Sequence, residues 1–150
     1  MKAISIRQPW TWLIVRPDLE GEERTRAISY GVLKDIENRT WPTRYRGELL
    51  IHAAKGMTRA EYTSVETLLA GTVIKLPPMA ELARGGIVGV ATLFDCVSAQ
   101  DRSSHWHMDG QYGFLLQKVR PLLFTPCKGA LGIFEIQGSV LELALGEMHA

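Results

Sequence analysis

Residues 86–97, GIVGVATLFDCV, form an apolar run that is rich in β-branched side chains. Such residues favour strands, and a run of twelve residues is too short to cross a bilayer as a helix. The run therefore predicts a well-buried strand. Counting along it in steps of two places the following residues on one face: Ile87, Ala91, Leu93, Asp95 and Val97.

Asp95 lies near the end of this otherwise apolar row. A carboxylate at that position either reaches solvent where the strand ends or enters a cleft. Inside a cleft, desolvation would raise its pKa and suit it to general acid–base chemistry. Both alternatives stay open, so Asp95 is a candidate catalytic residue.

Five other segments carry strand patterns on either side of this run. They are AISI at 3–6, KDIENRTW at 34–41, GELLIHAA at 47–54, QYGFLLQKVRPL at 111–122 and ALGIFEIQGSV at 130–140. The second and third segments are joined by PTRYRG, whose proline and glycine favour a turn. The sequence therefore predicts about six strands.

Two segments carry helical patterns. One helix is expected after Pro9, with apolar residues at helical spacing, and Pro17 should stop it. The other is expected from Thr58, because Glu61 three residues later completes a capping box. Residues 18–31, DLEGEERTRAISYG, are charged and contain glycine, so they predict an exposed excursion.

The strands are clustered and do not alternate regularly with helices. This order favours an α+β domain or a partly closed β-barrel over a doubly wound parallel sheet. The glycine motifs of dinucleotide and nucleoside-triphosphate sites are absent from the sequence. A chain of 150 residues with 46% hydrophobic content fits one domain spanning residues 1–150.

The sequence also indicates a compartment. No apolar run is long enough to span a bilayer, and the N-terminal MKAISIRQPW lacks the apolar region of a signal peptide. The two cysteines, Cys96 and Cys127, are too few for a disulfide scaffold. We therefore expect a cytoplasmic protein without a membrane partner.

Charge is distributed unevenly along the chain. The whole chain has a net charge of +1, whereas residues 34–59 carry six basic and three acidic residues, a local charge of +3. A basic segment of this kind is typical of a site for an anionic ligand on one side of the molecule. An ordinary solvated face explains the same charges, and charge alone favours that alternative.

The segment KDIENRTW carries the most candidate site residues. In a regular strand, Glu37, Arg39 and Trp41 share one face and Lys34 lies on the other. Glu37 and Arg39 are therefore expected to form a same-face ion pair. Lys34 is the first residue of the segment, where strand geometry fixes the direction of a side chain least. Its side chain is therefore able to turn toward the cleft that Glu37 faces.

The segment SHWHMDG offers two further hypotheses. His105 and His107 are spaced for a strand-borne metal pair, but zinc needs a third protein ligand and none has suitable spacing. We therefore predict neither a metal nor a cofactor. Trp106 lies in a polar loop, where it is either a stacking surface for a base or a hydrophobic lid on the core.

Several blocks together resemble the ASCH (ASC-1 homology) family, whose domain is related to the PUA domain. They are SIRQPWTWLI, KDIENRTWPTRYRGELLIHAAK, GIVGVATLFDCV, YGFLLQKVRPL and CKGALGIF, in the order of the family and over nearly the whole chain. The resemblance implies a PUA-like β-barrel with flanking helices and a cleft for RNA or a nucleobase. It also implies two activities, because some relatives are similar to hydrolases of N4-acetylcytidine and others have been described as ribonucleases.

The resemblance also implies site residues. In the small amidohydrolase relatives the active site consists of a lysine, a threonine three residues later and a glutamate on a strand. Lys34 matches the lysine, Glu37 stands at the position of the threonine, and Asp95 is the nearest counterpart of the glutamate. Lys34 would stabilise an oxyanion, and Asp95 or Glu37 would activate water. The expected ligand-binding residues are Arg7, Arg39, Arg44, Tyr45, Arg46, Trp106 and Tyr112.

Two functions follow as hypotheses. The first is a module that binds RNA, another single-stranded nucleic acid or a modified nucleoside. The alternative is a hydrolase, acting either on N4-acetylcytidine-type nucleosides or as a ribonuclease, with Lys34, Asp95 and Glu37 as catalytic residues. A third reading is an interaction domain in which the charges of the cleft are only structural.

Overall fold

A computed structural model describes residues 1–102 and 104–149, with side chains as far as residue 146. The strands are β1 (Lys2–Ile6), β2 (Ile36–Arg39), β3 (Gly47–Ala53), β4 (Gly86–Val97), β5 (Tyr112–Pro126) and β6 (Ile133–Glu135). The helices are α1 (Trp10–Val15), α2 (Gly21–Ser29), α3 (Arg59–Leu69) and α4 (Gly138–His149), and a short 3₁₀ turn covers Met79–Glu81. None of these helices is both long enough and apolar enough to cross a membrane.

The six strands form one sheet that curls into a half-barrel, in the order β2-β5-β4-β3-β1-β6. β1 and β3 are parallel, and every other neighbouring pair is antiparallel. The predicted α+β class and the number of strands are therefore confirmed. Although PTRYRG connects β2 to β3, these strands are not neighbours, because β2 pairs with β5 and β3 lies between β4 and β1.

Apolar side chains cover both faces of the sheet, because successive apolar residues of a strand point to opposite faces. One face packs against α1 and contains Ile4, Ile6, Leu49, Ile51, Ala91, Leu93 and Phe114. The opposite face packs against α4 and contains Ala3, Leu50, Ile87 and Val90. Ile87 was expected beside Ala91 and Leu93. It lies on the other face because the register shifts between Ile87 and Gly89.

The helices show where local signals decide the structure. α3 begins after Thr58 with both hydrogen bonds of the predicted capping box. The expected excursion is largely exposed apart from the buried Leu19, and it contains α2, none of whose residues is buried. Arg24 anchors α2 because its guanidinium donates hydrogen bonds to four carbonyl oxygens, those of Val15, Arg16, Leu19 and Val119.

Candidate functional site

The site lies where the sheet curls until its edge strand β2 faces β1. Arg39, the last residue of β2, donates a hydrogen bond from Nη2 to the carbonyl oxygen of Ser5 in β1, at 2.8 Å. This contact joins two strands that are not paired in the sheet. Polar side chains of β2 are therefore held against the start of α1, where Trp10 lies.

Lys34, Glu37 and Arg39 form a row of alternating charges at this position. Lys34 Nζ lies 3.3 Å from Glu37 Oε1, and Arg39 Nε donates to Glu37 Oε2 at 3.0 Å. The side chains of Lys34 and Glu37 are 3% and 10% exposed. The predicted Glu37–Arg39 pair is confirmed. Lys34 reaches Glu37 because β2 begins only at Ile36, so the pleat does not separate the two side chains.

The electrostatics of this row are set by burial. Burial is the main cause that lowers the pKa of Lys34 below its ordinary value, and Glu37 opposes it. Arg39 adds a smaller effect in the lowering direction. Lys34 Nζ also donates to the carbonyl oxygen of Ile36, and its backbone N–H donates to Leu13 O at 3.0 Å. Lys34 is therefore held both at its ammonium and at its backbone.

The Lys34–Glu37 pair opens into a cavity of about 630 Å³, which we call the aromatic cavity. Its walls include Trp10, Trp106 and Asn38. The ring of Trp10 lies 5.6 Å from Lys34 Nζ, and Trp106 donates from Nε1 to Gly31 O at 3.0 Å. Trp106 was among the predicted ligand-binding residues, whereas Trp10 was not.

Asn38 holds the loop that carries Trp106. Its Nδ2 donates to Trp106 O at 3.0 Å, and its Oδ1 accepts from the backbone N–H of Met108 at 2.8 Å. Sequence reasoning did not select Asn38, and the position of an asparagine on a short strand is too weak a signal to select it.

His107 also lines the aromatic cavity and is buried. Its Nε2 donates to Gln111 O at 2.6 Å, so Nδ1 is left as an acceptor, and Nδ1 has no hydrogen-bond partner among the described residues. His105 instead bonds to Gly31 O. Within the described part of the chain, no group of three His, Cys, Asp or Glu residues is arranged to hold a metal ion.

A second concavity of about 350 Å³, which we call the arginine groove, continues from the aromatic cavity. It shares Trp10, Glu37 and Asn38 with that cavity and is also lined by Arg7 and Arg39. These two arginines were predicted to bind ligand. Arg7 forms a bidentate pair with Glu61 on α3, with distances of 2.6 and 2.5 Å. Arg39 has two protein partners, Glu37 and Ser5.

The Arg7–Glu61 pair leads to a prediction about the pKa of Glu61. The hydrogen bonds from Arg7 are the main cause that lowers the pKa of Glu61 to about 2. A carboxyl group with a lowered pKa stabilises the fold at pH values above its unfolded pKa, and this contribution is lost as the pH falls through about 2. We expect NMR titration to give a pKa of about 2 for Glu61, and Arg7→Ala to move it back toward the ordinary range. An unchanged pKa in Arg7→Ala would contradict this pairing.

Asp95 does not belong to the site, which corrects the prediction. Its side chain is 53% exposed and lies 3.5 Å from Arg46, and it lines neither the aromatic cavity nor the arginine groove. The cause is a register shift between Leu93 and Asp95, which breaks the row that steps of two along the sequence would give.

The turn residues Arg44, Tyr45 and Arg46 also lie outside both concavities. Tyr45 donates from its hydroxyl to Glu48 O at 2.6 Å, and Arg46 donates to the carbonyl oxygens of Thr43 and Tyr45. The turn connects β2 to β3, which are not adjacent in the sheet. Tyr112 is paired with Arg39 in the β2–β5 ladder, and its side chain packs on the core.

Comparison with known proteins gives no match, either among family models or among curated proteins. The resemblance to the ASCH family therefore stays a prediction. The geometry of the two concavities carries the functional proposal.

Proposed function

We propose that the chain is a nucleic-acid or modified-nucleoside binding protein that holds one base in the aromatic cavity. The observation that carries the proposal is the buried Lys34–Glu37 pair, which lines a cavity of about 630 Å³ together with two indole rings. Small-ligand sites are typically concave, lined by aromatic groups, and equipped with a few polar groups that orient the ligand. The indole rings of Trp10 and Trp106 provide surfaces on which a base stacks.

The hydrogen-bonding capacity of the pair supports recognition of a base edge. An ammonium has three donors, and Lys34 uses two of them on Ile36 O and Glu37. Each oxygen of Glu37 accepts one hydrogen bond, from Lys34 or Arg39, and keeps acceptor capacity. Cytosine presents an amino donor next to acceptor atoms, and carboxylates accept from that amino group. We therefore expect a cytosine-type base.

A second candidate function is hydrolysis of an N4-acylated cytidine-type nucleoside. It is favoured by the 3.3 Å separation of a buried carboxylate and a buried ammonium at the cavity wall. Glu37 would take a proton from a water molecule while the oxygen of that water attacks the acyl carbonyl. Lys34 would stabilise the resulting oxyanion. Glu37 would then return the proton to N4 as the C–N bond breaks, which releases cytidine and a carboxylic acid. Asp95 has no part in this step.

Both functions are tested with the same set of ligands. Cytidine, N4-acetylcytidine and single-stranded RNA are titrated into the protein by calorimetry, and the mixtures are then analysed for products by liquid chromatography. We expect saturable binding that weakens when Glu37→Gln removes an acceptor. Asp95→Asn is the matched control, because it neutralises a carboxylate outside both concavities, and it should leave binding unchanged.

The outcomes separate the two candidates. Binding without product supports the binding module, whereas product that disappears in Glu37→Gln and persists in Asp95→Asn supports the hydrolase. If neither binding nor product is detected with any of the three ligands, the proposal is wrong.

A further inference from the structure

Three cationic side chains meet at one end of the sheet, outside the aromatic cavity. Lys55 follows β3, Arg84 precedes β4 and Lys128 follows β5. Since β4 is antiparallel to both β3 and β5, the last residues of those two strands lie at the same end of the sheet as the first residues of β4. The three cations line a cavity of about 720 Å³, which we call the basic pocket.

The backbone around the basic pocket is tied together. Gly85 N–H donates to Ala53 O at 2.8 Å, Cys127 N–H donates to Gly85 O at 3.2 Å, and Arg84 Nη1 donates to Lys55 O at 3.2 Å. These bonds link the residues that follow β3, precede β4 and follow β5. The three cations are therefore presented from connected segments.

The floor of the basic pocket is a buried polar chain. His52 is 1% exposed, its Nε2 donates to Cys127 O at 2.9 Å, and its Nδ1 lies 2.9 Å from Ser5 Oγ. Gly129 covers this chain so closely that a Cβ atom there would lie 2.8 Å from His52 Cε1. The pocket therefore has a defined, hydrogen-bonded base.

The positive charge of the basic pocket is not neutralised within the part of the chain that the structure describes. No Asp or Glu is among its lining residues, and none of its three cations forms an ion pair there. A concave site whose charged side chains are all cations attracts anions. Two lysines and an arginine are suited to phosphate, which arginine binds through a fork of donors and lysine as a point charge.

The basic pocket is continuous with the site described above. Ser5 lines both the basic pocket and the arginine groove. The guanidinium of Arg7 lies against Gly56, the neighbour of Lys55, since a Cβ atom on Gly56 would lie 2.9 Å from Arg7 Nη1. The arginine groove in turn shares Trp10 and Glu37 with the aromatic cavity. The arginine groove therefore shares lining residues with both the aromatic cavity and the basic pocket.

We propose that the basic pocket binds a phosphate of the same single strand whose base enters the aromatic cavity. The preferred ligand is then an oligonucleotide, and a free nucleoside uses only part of the site. This inference rests on the proposed function for the position of the base, and on Lys55, Arg84 and Lys128 for the phosphate.

The test compares two variants with equal loss of charge. The first combines Lys55→Gln, Arg84→Gln and Lys128→Gln. The control combines Arg26→Gln, Lys75→Gln and Arg120→Gln, which removes three exposed cations outside the aromatic cavity, the arginine groove and the basic pocket. The probes are cytidine, a single-stranded tetracytidylate and inorganic phosphate. We expect the first variant to bind the tetranucleotide about tenfold or more weakly at low salt, with a shallower dependence on salt, and to bind cytidine as before.

The results test separately the position of the base, the binding of phosphate in the basic pocket and the connection of that pocket to the strand. If the tetranucleotide depends on the three cations but cytidine does not bind, the basic pocket is supported and the proposed position of the base is wrong. If both charge variants bind the tetranucleotide equally well, the inference is overturned. Inorganic phosphate that binds in the millimolar range and is lost only in the first variant, with tetranucleotide affinity unchanged, assigns the pocket to free phosphate and overturns its connection to the strand.

Discussion

Replacement of Glu37 by leucine should lower the free energy of unfolding by about 3–5 kcal/mol, because it leaves the buried ammonium of Lys34 without its carboxylate. In the wild type, Glu37 opposes the effect of burial on the pKa of Lys34. Without Glu37 this pKa falls further. A base with a lowered pKa in the folded state makes stability rise with pH between its folded and unfolded pKa values. Urea unfolding at several pH values should therefore show that the difference in unfolding free energy between the wild type and Glu37→Leu becomes smaller as the pH rises toward 10.5.

The double variant Lys34→Met, Glu37→Leu distinguishes this mechanism from a simple packing defect. Replacing a buried ion pair by apolar residues of similar size is often neutral or stabilising. We expect the double variant to recover most of the lost stability, because Arg39 keeps Ser5 O as a partner and its side chain is 22% exposed to solvent. The exposed pair of Asp95 and Arg46 gives the matched control, since Asp95→Leu should cost only about 0–1 kcal/mol. A double variant as unstable as Glu37→Leu would contradict the mechanism.

The elements that the sequence predicted well depend on contacts close in the chain. The run at 86–97 coincides with β4, because its apolar and β-branched side chains fit a strand that is buried between two neighbours. The start of α3 followed from the capping box of Thr58 and Glu61, which is a contact across three residues. In both cases the signal and the structure lie in the same segment.

The missed elements depend on distant contacts. α4 was not predicted because it begins at a glycine with a positive φ and contains Gly146, both poor helix signals, and it is held by packing on the sheet through Ala144. α2 is anchored mainly by the bonds of Arg24 to carbonyl oxygens, one of which is 95 residues away. Asp95 was placed wrongly because period-two counting does not detect a bulge.

The site shows the same division. The Glu37–Arg39 pair was predictable, since residues two apart on a strand share a face. The aromatic cavity was not, because its wall depends on contacts from Trp106 to Asn38 and Gly31 that span 68 and 75 residues. Sequence alone selected Trp106 as a candidate, and the fold brings it into the lining of the same cavity as Trp10.

Replacement of Trp106 by alanine should weaken binding of a cytosine-containing single strand by roughly 5- to 150-fold. Stacking of a base on an aromatic side chain is worth about 1–3 kcal/mol, which corresponds to that range. The measurement is fluorescence anisotropy of a labelled oligonucleotide, with urea unfolding of each variant to verify that the fold is kept. Tyr30→Ala is the control, because Tyr30 is 78% exposed and does not line the aromatic cavity, and it should bind like the wild type.

The variant Trp106→Phe separates stacking from the hydrogen bond of the indole. Both Trp106→Phe and Trp106→Ala lose the bond from Nε1 to Gly31 O, so the difference between them measures the ring alone. We expect Trp106→Phe to retain most of the affinity. If the two variants bind equally weakly, the loop is held by the lost hydrogen bond and the ring is not a stacking surface. If Trp106→Ala binds like the wild type, the base does not lie against this wall, and the proposed function loses its principal support.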